Sequence, residues 1–104
     1  MHQDKAVLCY TRALEIMPSF AAARCNLGTC FRYEGKTDEA IVQNHIAIQN
    51  NPLMVDPYTN LGNIYKDTGR LEEAIMYYRK ATELDPQNHV HYSNLGVRYR
   101  IINI

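Results

Sequence analysis

The sequence has no tryptophan and no net charge, its 11 Lys and Arg being matched by 11 Asp and Glu. A neutral balance argues against a nucleic-acid binder held by phosphate contacts. It argues equally against a polybasic membrane-surface protein. No apolar run approaches the roughly 20 residues that span a bilayer. The opening stretch MHQDKAVLCY lacks the basic region and apolar run of a secretory leader. Cysteine is scarce: Cys9, Cys25 and Cys30 form no CxxC pair. An odd number at irregular spacing reads as reduced thiols in a cytoplasmic or nuclear chain, and an intermolecular disulfide is the weaker alternative.

Catalytic signatures are missing too. There is no Ser-His-Asp or Cys-His arrangement, phosphate loop or dinucleotide fingerprint. His89 and His91 form an HxH pair, but two helical steps turn through about 200°, so they face apart and make poor joint metal ligands. His2 and His45 stand alone. The carboxylate pairs Asp38-Glu39 and Glu72-Glu73 fall where a helix begins, and there they suit the helix dipole better than acid/base work. The expectation is a chain that is not an enzyme and has no metal or cofactor.

What is present is a repeat. The triplet Asn-Leu-Gly occurs at 26–28, 60–62 and 94–96, so Gly28, Gly62 and Gly96 are 34 residues apart. Pro18, Pro52 and Pro86 keep the same interval, as do Ala6, Ala40 and Ala74, and Ala13, Ala47 and Ala81. Gly35 pairs with Gly69, and Phe31 with Tyr65 and Tyr99. Tyr10 and Tyr78 share a site whose middle member is Asn44. No gap is needed anywhere.

Helical spacing puts Tyr58, Leu61, Gly62 and Tyr65 on one face, and Ala74, Tyr78 and Ala81 on one face of a second helix. A mid-helix glycine costs about 1 kcal/mol relative to alanine. Its recurrence is explained if Gly and Ala let paired helices approach closely while aromatics fill the space beside them. Tyr58, Tyr65, Tyr78 and Tyr99 are therefore expected to pack, whereas Tyr33 and Tyr77 fall off the pattern and are expected to be exposed. Gly35 and Gly69 suit turns that need a positive φ. Pro52 and Pro86 stop second helices. Asp56 is expected to cap the helix that Pro57 opens, and Thr37 the one beginning at Asp38-Glu39.

A 34-residue period carrying Tyr58, Leu61-Gly62, Tyr65, Gly69, Ala74, Tyr78, Ala81 and Pro86 resembles the tetratricopeptide repeat. The preceding unit carries Leu27-Gly28, Phe31, Gly35, Ala40, Ala47 and Pro52, and departs from the pattern at Arg24 and Asn44. The resemblance implies an all-α right-handed superhelix, an α-solenoid of helix-turn-helix units. Complete units are expected at 21–54 and 55–88, with the second half of a unit at 1–20 and the first half of another at 89–104. With A and B for the first and second helices, the order is B, A-B, A-B, A, or six helices.

The resemblance further implies a protein-interaction scaffold that binds an extended peptide in a concave groove lined by first helices. The groove positions hold an asparagine row, Asn26, Asn60 and Asn94, and a basic row, Arg32, Lys66 and Arg100. Thr29 and Asn63 add polar groups, and Cys25, Thr59 and Ser93 add small ones. An Asn amide can donate to a peptide carbonyl and accept from a peptide N–H, and the basic row suits an acidic side chain or terminus. The bland alternative is that the asparagines are inherited pattern and the cations solvated surface.

Members that clamp the acidic C-termini of heat-shock chaperones want other residues at Cys25, Thr29, Val90 and Asn94, and only Asn60 agrees, so that specialisation is disfavoured. The asparagine row resembles the array preceding the catalytic domain of O-linked N-acetylglucosamine transferases, which makes a substrate-recruiting region of such an enzyme the alternative function. The helix around Lys5 to Met17 lacks a partner, and RIINI at 100–104 leaves Ile101, Ile102 and Ile104 uncovered. End-to-end stacking of copies, a heterologous contact, is the expectation for those faces.

Overall fold

The computed structural model describes residues 2–86, with side chains from Lys5 onward. Five helices and no strand occur among them: α1 (His2–Ile16), α2 (Ala21–Tyr33), α3 (Thr37–Asn50), α4 (Asp56–Asp67) and α5 (Leu71–Leu84). The sixth expected helix falls within 87–104, outside the described residues. The chain divides into two compact units, 1–53 and 54–104. In the first, α2 packs against both α1 and α3; in the second, α4 packs against α5.

The two tight turns are built alike. Gly35 and Gly69 take φ of 78° and 79°, a conformation that costs glycine little. Around Gly35, the Gly35 N–H donates to the Arg32 carbonyl at 3.1 Å and the Lys36 N–H to the Phe31 carbonyl at 2.8 Å. Around Gly69, the Gly69 and Arg70 N–H groups donate to Lys66 and Tyr65 over the same two distances. This is the Schellman arrangement, which satisfies carbonyls left over at a helix end. The residue after each glycine lays its cation over the ring five positions back: Lys36 Nζ lies 5.7 Å from the Phe31 centroid, and the Arg70 guanidinium 4.7 Å from that of Tyr65.

The turn at Gly35 displaces the cap expected at Thr37. The Lys36 and Arg70 carbonyls accept from Ala40 and Ala74, both at 3.0 Å, so the next helix starts as soon as the turn closes. Lys36 is the N-cap of α3 and Thr37 its first helical residue, with no side-chain cap bond. Asp56 is likewise inside α4, not before it. Val55, with φ −74° and ψ −39°, is already helical and accepts from the Tyr58 N–H at 3.1 Å. Asp56 thus supplies first-turn charge, as Asp38, Glu39, Glu72 and Glu73 do. Helices α1, α3 and α5 each end two residues before Pro18, Pro52 and Pro86.

In the first unit, Leu14, Ala23 and Leu27 form a buried cluster against which Val7, Tyr10, Ala13 and Phe31 pack. On the other side of α2, a side chain on Gly28 would run into the Asn44 carboxamide and meet the Ala40 carbonyl oxygen at 3.2 Å. Asn44 is fully buried, and its Nδ2 donates to that Ala40 oxygen at 2.8 Å. In the second unit, a methyl on Gly62 would stand 2.6 Å from ring carbons of the fully buried Tyr78. Ala40, Ala47, Ala74 and Ala81 are all buried. Gly28 and Gly62 are close-packing points, as their spacing implies; Gly96 lies outside the described residues. Along the outer side of α1, Leu8 and Ile16 are exposed.

Candidate functional site

Helix α4 has one apolar and one polar face. Pro57, Tyr58, Leu61, Gly62, Ile64 and Tyr65 are buried. Steps of three and four residues gather Asp56, Thr59, Asn60, Asn63, Lys66 and Asp67 on the opposite side. Of these, Thr59, Asn60 and Asn63 are half-buried, and Asp56, Lys66 and Asp67 exposed. Three predicted site residues, Asn60, Asn63 and Lys66, therefore share one face.

Asn63 is not simply presented outward. Its Oδ1 accepts a hydrogen bond from the Tyr78 hydroxyl of α5. That contact escapes a reading by position alone, since it depends on how far a tyrosine hydroxyl reaches past the glycine contact. A buried phenol usually finds a partner for its O–H, and this rule could have flagged the nearest polar group.

On α2, Asn26 is exposed while Thr29 and Arg32 are half-buried. The Thr29 hydroxyl donates to the Cys25 carbonyl at 3.2 Å, a back-bond within the helix. The Arg32 guanidinium lies 5.8 Å from the ring of Tyr33, which is 68% exposed. Cys25, expected among the small groove residues, is buried in the helix interface. Cys30 is buried as well, and burial, followed by the nearby Glu34 carboxylate, pushes its thiol pKa up. Asn94, Arg100 and Ser93 lie outside the described residues.

Tyr77 departs from expectation. It is half-buried, with its ring stacked on Tyr65 at a centroid distance of 5.5 Å and 17° between planes. The Arg70 guanidinium covers Tyr65, Arg70 Nε donates to Glu73 Oε1 at 2.8 Å, and a second bond joins Arg70 Nη2 to Glu73 Oε2. Burial is the main cause of the raised Tyr77 phenol pKa, helped by Tyr65 and Glu73. In the first unit the matching position is Gln43, whose Oε1 accepts from Arg24 Nη1 at 3.1 Å. The two departures from the repeat pattern, Arg24 and Asn44, thus both lie in a polar stretch of the first unit.

Among the described residues, no group of three or more His, Cys, Asp or Glu could hold a metal ion, and no helix is long and apolar enough to cross a membrane. Residues 55–88 match the family model for the tetratricopeptide repeat. The fold is similar to that of the first TPR of Spaghetti (RPAP3) bound to the HSP90 peptide SRMEEVD. That likeness has a TM-score of 0.86 at 22% identity and covers 99% of this chain and 82% of the other. It is also similar to MamA, with a TM-score of 0.83 at 24% identity, over 97% of this chain and 59% of that one. At these identities the likeness is one of fold. No curated protein matches the chain in sequence.

Proposed function

We propose that the chain, whose residues 55–88 match the tetratricopeptide-repeat model and whose fold is similar to that of tetratricopeptide proteins, is a non-catalytic protein-interaction module. Its ligand is an extended peptide held along the polar faces of the first helices. The observation that carries this reading is the polar face of α4, where Asn60, Asn63 and Lys66 lie together above an apolar face that is fully used in packing. Asn26 and Arg32 repeat two of these positions on α2, and Asn94 and Arg100 repeat them in sequence. Amides spaced along a helix row suit a peptide backbone, because they bond to groups every residue has and so do not depend on ligand sequence. The cations beside them favour a ligand with acidic side chains or a free carboxylate. The similarity to a repeat domain bound to a peptide supports a peptide partner, while the residues at Cys25 and Thr29 depart from those of chaperone-tail clamps.

A pull-down with the wild-type chain beside Asn26/Asn60/Asn94→Ala tests this. The substituted chain is expected to lose its partners while keeping its helical content. Retention of every partner would overturn the asparagine-row reading.

A further inference from the structure

The Tyr78 hydroxyl does more than satisfy a buried phenol. We propose that Tyr78 is a positioning residue for Asn63, fixing which edge of that carboxamide a bound peptide meets. This rests on the proposed peptide-binding role of the α4 polar face and adds a polarity to it. A carboxamide carries an acceptor on one arm and two donors on the other. On a solvated asparagine the two arms exchange readily. On Asn63 the acceptor arm is engaged by Tyr78, so the Nδ2 arm is turned away from α5. A flip would replace an O–H···O=C bond with one to the phenolic oxygen, a weaker acceptor than an amide carbonyl.

Tyr78 itself is held firmly. It is fully buried with its ring against Gly62, where not even a methyl group fits. The lock is therefore anchored in the core of the helix pair. Its consequence is that Asn63 offers N–H donors and selects an acceptor, a peptide carbonyl or a carboxylate, over a peptide N–H. In the first unit Thr29 stands at the Asn63 position and Asn44 at the Tyr78 position; the Thr29 hydroxyl donates to the Cys25 carbonyl and Asn44 Nδ2 to the Ala40 carbonyl.

The test uses the full chain labelled with 15N and reads the side-chain amide signals of Asn63, with Tyr78→Phe as the variant. The substitution keeps the ring and removes only the hydroxyl. Without any ligand, the wild-type Asn63 Nδ2 protons should show no NOE to the Tyr78 ring protons, because that arm is turned away, and Tyr78→Phe, by freeing the carboxamide to flip, should bring such NOEs in. With acetylglycine as a carboxylate probe, the wild-type Asn63 signals should shift saturably, and Tyr78→Phe should saturate about fivefold more weakly. Asn63→Ala removes the donors without adding a charge that would itself repel the carboxylate, so it should bind acetylglycine about fivefold more weakly than wild type. This second variant decides the matter if Tyr78→Phe folds poorly: probe binding to Asn63→Ala as tight as to wild type would overturn the proposal. The same NOE pattern in wild type and Tyr78→Phe would overturn the positioning role. A lock that persists while acetylglycine moves no α4 signal would instead overturn the peptide-binding reading of that face.

Discussion

Beneath Gly28 stands the carboxamide of Asn44; beneath Gly62, one repeat later, stands the ring of Tyr78. Both are fully buried, and both make an added methyl on the facing glycine collide. The backbone pattern is therefore the same, while the energetics differ. A buried tyrosine removes a large apolar surface from water and still reaches Asn63 with its hydroxyl. A buried asparagine removes little apolar surface and uses its Nδ2 on the Ala40 carbonyl, largely offsetting its own desolvation. The contrast extends outward. The second unit stacks Tyr65, Tyr77 and Arg70, whereas the first sets Phe31 under Lys36 and has Gln43 where Tyr77 would be. One 34-residue pattern thus supports an aromatic interface and a polar one, and the aromatic one should be the more stable.

The strongest way to break this contrast is Tyr78→Ala, which empties the second interface. Truncating a large buried aromatic costs about 3–5 kcal/mol. Urea unfolding should register that loss, and hydrogen exchange should place it in α4 and α5. Asn44→Ala removes far less volume and should cost about 1–2 kcal/mol, since it also releases a buried hydrogen bond. Equal losses at the two positions would mean that the units are not distinguished by what lies under their glycines.

Next in size is alanine at the glycines themselves. Gly62→Ala drives a methyl against a ring that has no room to move, so overpacking of about 1–3 kcal/mol should exceed the helix-propensity gain of about 1 kcal/mol. At Gly28 the obstacle is the end of a side chain, with the Ala40 oxygen beyond it at 3.2 Å. Asn44 can turn aside there, at the expense of its bond to Ala40. Thermal melts should show Gly62→Ala well below wild type and Gly28→Ala closer to it.

The repeat, the glycine contacts, the turns at Gly35 and Gly69, and the proline stops follow from residue identity at fixed spacing. They are legible because each depends on what a backbone can do at one position. Tyr77 and Asn63 were not legible in the same way. Angular position assigned Tyr77 to the surface, but its long ring lies back over Tyr65. It assigned Asn63 to the ligand face, and Tyr78 also claims one arm of its amide. The caps failed for other reasons: the Schellman turn makes Lys36 serve two helices at once, leaving no loop position for Thr37 to cap, and Val55 is already helical, so Asp56 falls inside α4. Of the candidate site, the rows on α2 and α4 were readable as polar helix faces, while the bonds holding their members required three dimensions.

A smaller effect sharpens the contrast in alkali. Cys30 in the first unit and Tyr77 in the second both have raised pKa values, chiefly through burial. Each is neutral when protonated, so the folded chain holds its proton to higher pH than the unfolded chain does. Stability then falls once pH passes the unfolded pKa and continues to fall until the folded pKa is reached. The ordinary values are 9.0 for the thiol and 10.0 for the phenol. The first unit should therefore begin to weaken about one pH unit before the second. Urea midpoints followed upward from neutral pH should start to decline near pH 9. Cys30→Ala should flatten that first part of the decline and leave the part above pH 10, which Tyr77→Phe should flatten in turn. An unchanged profile in Cys30→Ala would show that the early loss does not come from this buried thiol.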